Sequence, residues 1–316
     1  MLDSPIIDIA IGLSYLYFLL GLITSSINEL IQTKLQSRSK LLHDAILKFL
    51  DKDWDEIGEY IVKSPYVRSL QKNPKRFPSY IPSNSFAQSI VDVIKGAEDL
   101  PDTIPEIRKQ IKNNPLIKGD AQIWLLGLLD QSYDRLQDFY TKLEDAYNDA
   151  MDRVSGWYGR KAKRTILVLG IVISILLNID TIYIAKTLWK NNETARVFSA
   201  IVANSMERID KSNDGFQIKN ENGKVLYSIQ HEQENNLGSL TAKIGSLPIP
   251  LGWNSASFDF FSEPEWFLVL LSKLAGWGIT AIAIFLGAPF WFDLLSKIIN
   301  LRGSGNKPKE SAVAKT

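Results

Sequence analysis

The chain has 316 residues, with 36 basic and 35 acidic side chains, and this near-neutral balance gives no electrostatic argument for a nucleic-acid partner. It contains no Cys, which excludes disulfides, thiolate nucleophiles and sulfur-ligated metals. Its hydrophobic fraction of 45% resembles that of a soluble protein, but the apolar residues gather in three segments, so local pattern outranks the average.

The first segment, Ile9 to Ile27, follows a start without a basic n-region and shows no small-residue cleavage site, so it reads as a retained span rather than a signal peptide. Lys34, Arg38 and Lys40 follow it, which predicts a first transmembrane helix over 1–33 with the N-terminus outside. Ser14, Tyr17, Gly21, Ser25 and Asn28 share one face, a small and polar stripe suited to packing on another span.

Residues 34–164 read as a cytoplasmic helical domain. Leu41, Leu42, Ala45, Ile46, Phe49 and Leu50 form one amphipathic face, Asn84 or Ser85 can cap a helix through Ile94, and Pro105 suits the first turn of another reaching Asn113. Between them, Pro74, Pro78 and Pro82 require an irregular loop, pinned by Phe77, Tyr80 and Phe86. Further on, Leu129, Tyr133, Leu136, Tyr140, Leu143, Tyr147, Ala150, Val154 and Trp157 alternate four and three apart. That seam packs within its own domain or, as the sharper reading, between protomers. Tyr at successive seam positions suits a tight two-stranded coiled coil poorly, because each hydroxyl needs a polar partner.

One rod is expected to continue from this seam into the second span, 165–189, which exceeds the roughly 30 Å hydrocarbon core at about 1.5 Å per residue. Trp157 and Tyr158 supply interfacial rings, and Arg160, Lys161, Lys163 and Arg164 mark that end as cytoplasmic. Residues 190–263 then form a small outer, or periplasmic, α+β segment: Asn192 and Glu193 open a helix to about Arg208, and Phe216–Lys219 alternates with Val225–Ile229 around an Asn-Gly turn.

The third span, 264–292, carries Gly276, Thr280, Ala283 and Gly287 four, three and four apart, which lets two backbones approach closely. After Pro289, residues 293–302 read as an interfacial amphipathic helix with Trp291 as its anchor, followed by a disordered cytoplasmic tail over 303–316. The fold class expected is therefore mainly α: a three-span integral membrane protein with a helical cytoplasmic domain and a small α+β outer segment.

Asp180, beside Asn178 in the second span, and Lys273 in the third stand at matching depths. Each is costly in hydrocarbon, so either an ion pair locks the two spans or Lys273 snorkels outward and Asp180 meets external water. His43 and His231 fall on opposite sides of the membrane and cannot share a metal or a triad, and no phosphate-cradling loop, dinucleotide fingerprint or nucleophile elbow occurs. The expectation is no catalytic residue, no cofactor and no metal.

The junction MDRVSGWYGRKAKR before a span with NIDTIYIAKTLW, the terminal GAPFWFDLLSKIINLRGSG, SSINELI and FPSYIPSNSFAQSIVD resemble an uncharacterised bacterial family of multi-pass membrane proteins. The resemblance implies a multi-pass bacterial protein and transfers no site residue. The expected role is a non-catalytic anchor, scaffold or assembly component. Its partners are the lipid bilayer and either further copies of the chain or subunits of a membrane complex. The expected location is the bacterial inner membrane, or a thylakoid-type internal membrane, with the C-terminus cytoplasmic. The alternative is an oligomeric channel with a path lined by Ser14, Ser25, Asn28, Asn178 and Asp180.

Overall fold

The computed structural model describes residues 4–49, 54–71, 73, 76–96, 103–133, 135–206, 209–212, 215–219, 225–228, 233–253 and 264–304. In chain order the elements are α1 (Pro5–Leu35), α2 (Ser37–Leu47), α3 (Asp55–Lys63), α4 (Pro65–Arg68), α5 (Ser83–Lys95), α6 (Ile104–Asn113) and α7 (Gly119–Asp130). There follow α8 (Leu136–Leu176), α9 (Thr181–Lys190), α10 (Asn192–Met206), β1 (Ile209–Ser212), β2 (Gly215–Lys219) and β3 (Val225–Ser228). The chain closes with α11 (Gln233–Gly245), α12 (Trp266–Leu286) and α13 (Ala288–Ser304). The protein is mainly helical. It divides into two compact units, Gln32–Lys161 on one hand and Met1–Ile31 with Ala162–Thr316 on the other.

The unit Gln32–Lys161 is a helical domain around a core in which Trp54, Phe86, Phe139 and Tyr147 are fully buried or nearly so. Its helices follow from apolar residues one turn apart: α6 buries Ile104, Ile107 and Ile111, and α3 buries Ile57, Gly58 and Ile61. Gly58 is where α3 closes on α2, since a Cβ there would stand 2.9 Å from the Ile46 carbonyl oxygen. The Trp54 indole donates to that same oxygen at 3.0 Å, and its ring meets Phe49 at 5.3 Å and Trp124 at 5.6 Å. Pro105 does fall in the first turn of α6. The cap expected at Asn84 or Ser85 is absent: α5 begins one residue earlier behind Pro82, and Asn84 Oδ1 accepts from the Ser85 amide instead. Part of the proline loop lies outside the described residues. In the rest, Phe77 and Phe86 pin it as expected, whereas Tyr80 is exposed and its neighbour Ile81 is the buried anchor.

In the other unit, every residue of α1 from Ser14 to Thr24 is buried, about three turns enclosed on all sides, as suits a helix apolar around its whole circumference. The expected one-sided stripe is thus part of a wider burial, and Ser25 is exposed. Alongside α1 runs α13 in the opposite direction. A Cβ on Gly21 would meet the Ala288 backbone nitrogen at 2.7 Å, Tyr17 packs on Trp291 at 4.6 Å, Phe18 on Phe292 at 5.9 Å, and Asp8 binds Arg302 at 2.8 Å. The interfacial helix expected over 293–302 is therefore part of a longer helix packed lengthwise on α1. The Gly287 turn that reverses the chain needs φ +84°, which glycine adopts without strain.

Helix α12 buries Gly276, Thr280 and Ala283, the expected stripe, and exposes Phe267, Leu268, Leu271, Leu274, Ile279, Ile282 and Phe285. By length and composition α1 and α12 can each cross a membrane, and a third crossing counts if α8 and α9, bent by 50°, form one span. The stretch between α10 and α11 contributes an antiparallel sheet in the order β1-β2-β3, with Gln217 opposite Ser228 in the expected hairpin. The Asn-Gly turn itself lies outside the described residues, and β1 was not expected.

Candidate functional site

The second apolar run is not one straight rod. The seam helix begins at Leu136 rather than Leu129, after a turn in which Tyr133 takes a φ of +45°, and it stops at Leu176. Asn178 then adopts φ +48°, and Asp180 opens α9 as its N-cap, accepting from the Tyr183 amide at 3.0 Å. A break in an apolar helix leaves carbonyls and amides without their ladder partners, and in hydrocarbon each such group costs several kcal/mol unless protein supplies a partner.

Here protein supplies them. The Gly252 amide donates to the Leu177 carbonyl at 2.9 Å, and Asn178 Nδ2 returns a bond to the Gly252 carbonyl at 2.9 Å. Trp253 donates through its indole to the Ile175 carbonyl at 2.9 Å, and Trp277 to Asn178 Oδ1 at 3.3 Å. From α12, Thr280 Oγ1 lies 2.7 Å from the Ile179 carbonyl and 3.0 Å from that of Gly276. Thr280 also lies 2.7 Å from the Thr181 hydroxyl, which lies 2.9 Å from that of Tyr17.

Counting protons fixes the direction of this chain. A threonine hydroxyl has one hydrogen. If Thr280 gives it to a carbonyl, Thr181 must donate to Thr280, and Tyr17 must donate to Thr181. Three helices, α1, α9 and α12, are thereby stitched through one relay that ends on backbone.

Asp180 and Lys273 are both near this knot, and each makes further contacts there besides any to the other. The Asp180 carboxylate caps α9 and presses on α12, where a Cβ on Gly276 would fall 1.7 Å from Oδ1. The Lys273 ammonium stands over the rings of Trp253 at 5.6 Å and Trp277 at 5.9 Å.

A second polar cluster seals the far part of α1. Asp8, 3% exposed, accepts from Ser199 Oγ at 2.6 Å and from Arg302 Nη1 at 2.8 Å, and the same guanidinium nitrogen donates to Ser199 at 3.1 Å. Sequence reasoning missed this cluster and the tryptophans around the break. Its members lie in α1, α10 and α13, so no local pattern could have found them.

Of the seam residues, Leu129, Leu143 and Tyr147 are buried in their own unit, Leu136 and Tyr140 are half-buried against its core, and Tyr133 is 87% exposed. The Tyr147 hydroxyl donates to the Ile81 carbonyl at 2.9 Å. Burial, with Tyr80 adding to it, holds that hydroxyl well above the ordinary tyrosine range. The intradomain reading of the seam therefore accounts for its N-terminal half. Of the expected interface anchors, Trp157, Arg160, Lys163 and Arg164 are exposed, and Tyr158 is half-buried. Trp291 is half-buried, and its indole donates to the Ala283 carbonyl at 2.6 Å.

Among the described residues no group of three or more His, Cys, Asp or Glu side chains could hold a metal ion. His43 meets Phe77 edge-on at 5.0 Å, and His231 lies outside the described residues. No family model, curated protein or solved structure matches the chain.

Proposed function

We propose that the chain is a non-catalytic membrane anchor and scaffold. In this reading α1, the bent α8–α9 pair and α12 make three crossings, lipid covers the exposed apolar faces of α8 and α12, and residues 190–263 form a small outer lobe. The unit Gln32–Lys161 stands in the cytoplasm and offers its surface to further copies of the chain or to subunits of a membrane complex. The membrane is a bacterial inner membrane, or an internal membrane of the thylakoid type. The basic residues Lys34, Arg38 and Lys40 after the first span, and Arg160 to Arg164 before the second, support a cytoplasmic side for that unit.

The end of α13 binds Asp8 at the start of α1. With residues 34–164 cytoplasmic, Asp8 and Arg302 both belong to the outer side, so in this reading α13, packed on α1, is a fourth traverse added to the three crossings above. The proposed C-terminus is thus outside, where the sequence led to the expectation of a cytoplasmic one.

The observation that carries the scaffold reading is the relay Tyr17–Thr181–Thr280, whose last proton is spent on a backbone carbonyl. A conducting path needs polar groups with capacity left for water or an ion, and here Asn178, Thr181 and Thr280 are used to close a helix break. Liposomes containing the purified protein are expected to pass no ions at any voltage or pH. Flux that falls on Asp180→Asn would replace this reading with the oligomeric channel. Mass measurement in detergent tests the oligomer directly, and a monomer under all conditions would remove self-association from the proposal.

A further inference from the structure

Between α2, the end of the proline loop and the middle of α8 lies a cavity of about 490 Å³, within the range of small-molecule sites. All of its walls belong to the unit Gln32–Lys161. Its apolar floor is made by Leu41, Leu42, Met151 and Val154. Two opposite charges line it from different helices, Arg38 on α2 and Asp152 on α8, and among the described residues neither is in an ion pair. Tyr80 and Tyr158 add hydroxyls and ring faces at the rim.

A cation and an anion on separate walls over an apolar floor complement a ligand with the same three parts: a phosphate for Arg38, an ammonium for Asp152, and a hydrocarbon portion for the floor. Chain continuity points to where such a ligand comes from. α2 starts two residues after α1 ends, and α8 runs without a break from the cavity wall into the apolar run. We infer that this cavity binds an aminophospholipid of the phosphatidylethanolamine type, with its headgroup between Arg38 and Asp152 and the start of an acyl chain on Leu41, Met151 and Val154. This goes beyond the scaffold role and rests on the membrane placement proposed above.

The test is native mass spectrometry of the delipidated full chain in detergent, titrated with phosphatidylethanolamine, phosphatidylglycerol and soluble phosphoethanolamine. Phosphatidylethanolamine should bind about fivefold more tightly than phosphatidylglycerol, the factor expected of one charge contact at a membrane surface. Asp152→Asn should abolish that preference, Arg38→Gln should weaken both lipids, and Met151→Trp, which fills the cavity, should weaken phosphatidylethanolamine most. Arg68→Gln, an exposed change elsewhere in the same unit, should alter nothing. Equal binding of the two lipids by the unaltered chain, or a preference that survives Asp152→Asn, would overturn the assignment. Phosphoethanolamine binding as tightly as the lipid would overturn the lipid source. Arg38→Gln and Asp152→Asn are surface changes, so the test holds even if Met151→Trp fails to fold.

Discussion

Arg302 Nη1 donates to Asp8 Oδ1 at 2.8 Å across 294 residues of sequence, joining the last helix to the first turns of the first. The carboxylate is 4% exposed and the guanidinium 32% exposed, so the two partners do not contribute alike. Removing the cation strands a buried anion. Removing both charges removes the problem.

Arg302→Gln is accordingly expected to destabilise the detergent-solubilised protein by about 1–3 kcal/mol, below the usual figure for a buried pair because Arg302 is partly solvated. Adding Asp8→Asn should recover most of that loss, since the amide oxygen that replaces the carboxylate would still accept from Ser199. Thermal unfolding of the two variants checks it, and a double variant worse than Arg302→Gln alone would contradict it.

Gly276→Ala places a methyl group where the Asp180 carboxylate now lies, so the carboxylate must leave the N-terminus of α9. Loss of such a cap costs about 1 kcal/mol before any helix displacement is counted. Gly21→Ala meets the Ala288 backbone, which cannot rotate away as a side chain can, so α13 must shift as a body. Gly21→Ala should therefore lower the melting temperature more than Gly276→Ala combined with Asp180→Ser.

Thr280→Val keeps shape but removes the proton given to the Ile179 carbonyl and the acceptor for Thr181. The expected loss is about 1–3 kcal/mol, the penalty for leaving a buried polar group unsatisfied, while Thr280→Ser should be close to neutral. Equal effects of the two substitutions would assign the residue to packing alone.

These sites show what the sequence could and could not convey. The stripe Gly276, Thr280, Ala283 was readable because small residues at helical spacing have few uses other than close packing. The break at residues 177–180 carried a signal as well, an Asp that can cap the helix after it, but an Asp inside an apolar run reads equally as an intramembrane charge. The placement of α13 was not readable. Asp293, Lys297 and Asn300 suggest a water-facing side in any setting, and only the enclosure of α1 on all faces shows that a neighbour was required. Trp291 illustrates the same limit, because an indole near the end of an apolar run suits a membrane surface and an internal carbonyl equally well.

The helical unit allows a prediction in pH. Burial raises the pKa of Asp92 on α5, opposed by Lys95 and by a hydrogen bond from Tyr66. Because the folded state holds this proton more tightly than the unfolded state does, the stability it contributes is fully present below the unfolded value of 3.8 and is lost as pH rises through the higher folded value. Asp92→Asn should thus give a small gain in melting temperature at neutral pH that shrinks toward zero below the unfolded pKa. A gain constant across the range would show that ionisation is not its cause.

The absence of Cys makes the central claim directly measurable, since any introduced thiol is the sole thiol in the chain. Ser4→Cys, Ser69→Cys and Ser304→Cys, expressed separately and exposed to a membrane-impermeant maleimide on intact cells, report the side of the first turn of α1, the helical unit and the end of α13. Labelling of Ser4→Cys and Ser304→Cys from outside, with Ser69→Cys reacting only after permeabilisation, is the expected result. Ser4→Cys and Ser304→Cys labelling from opposite sides, or Ser69→Cys labelling on intact cells, would contradict the arrangement.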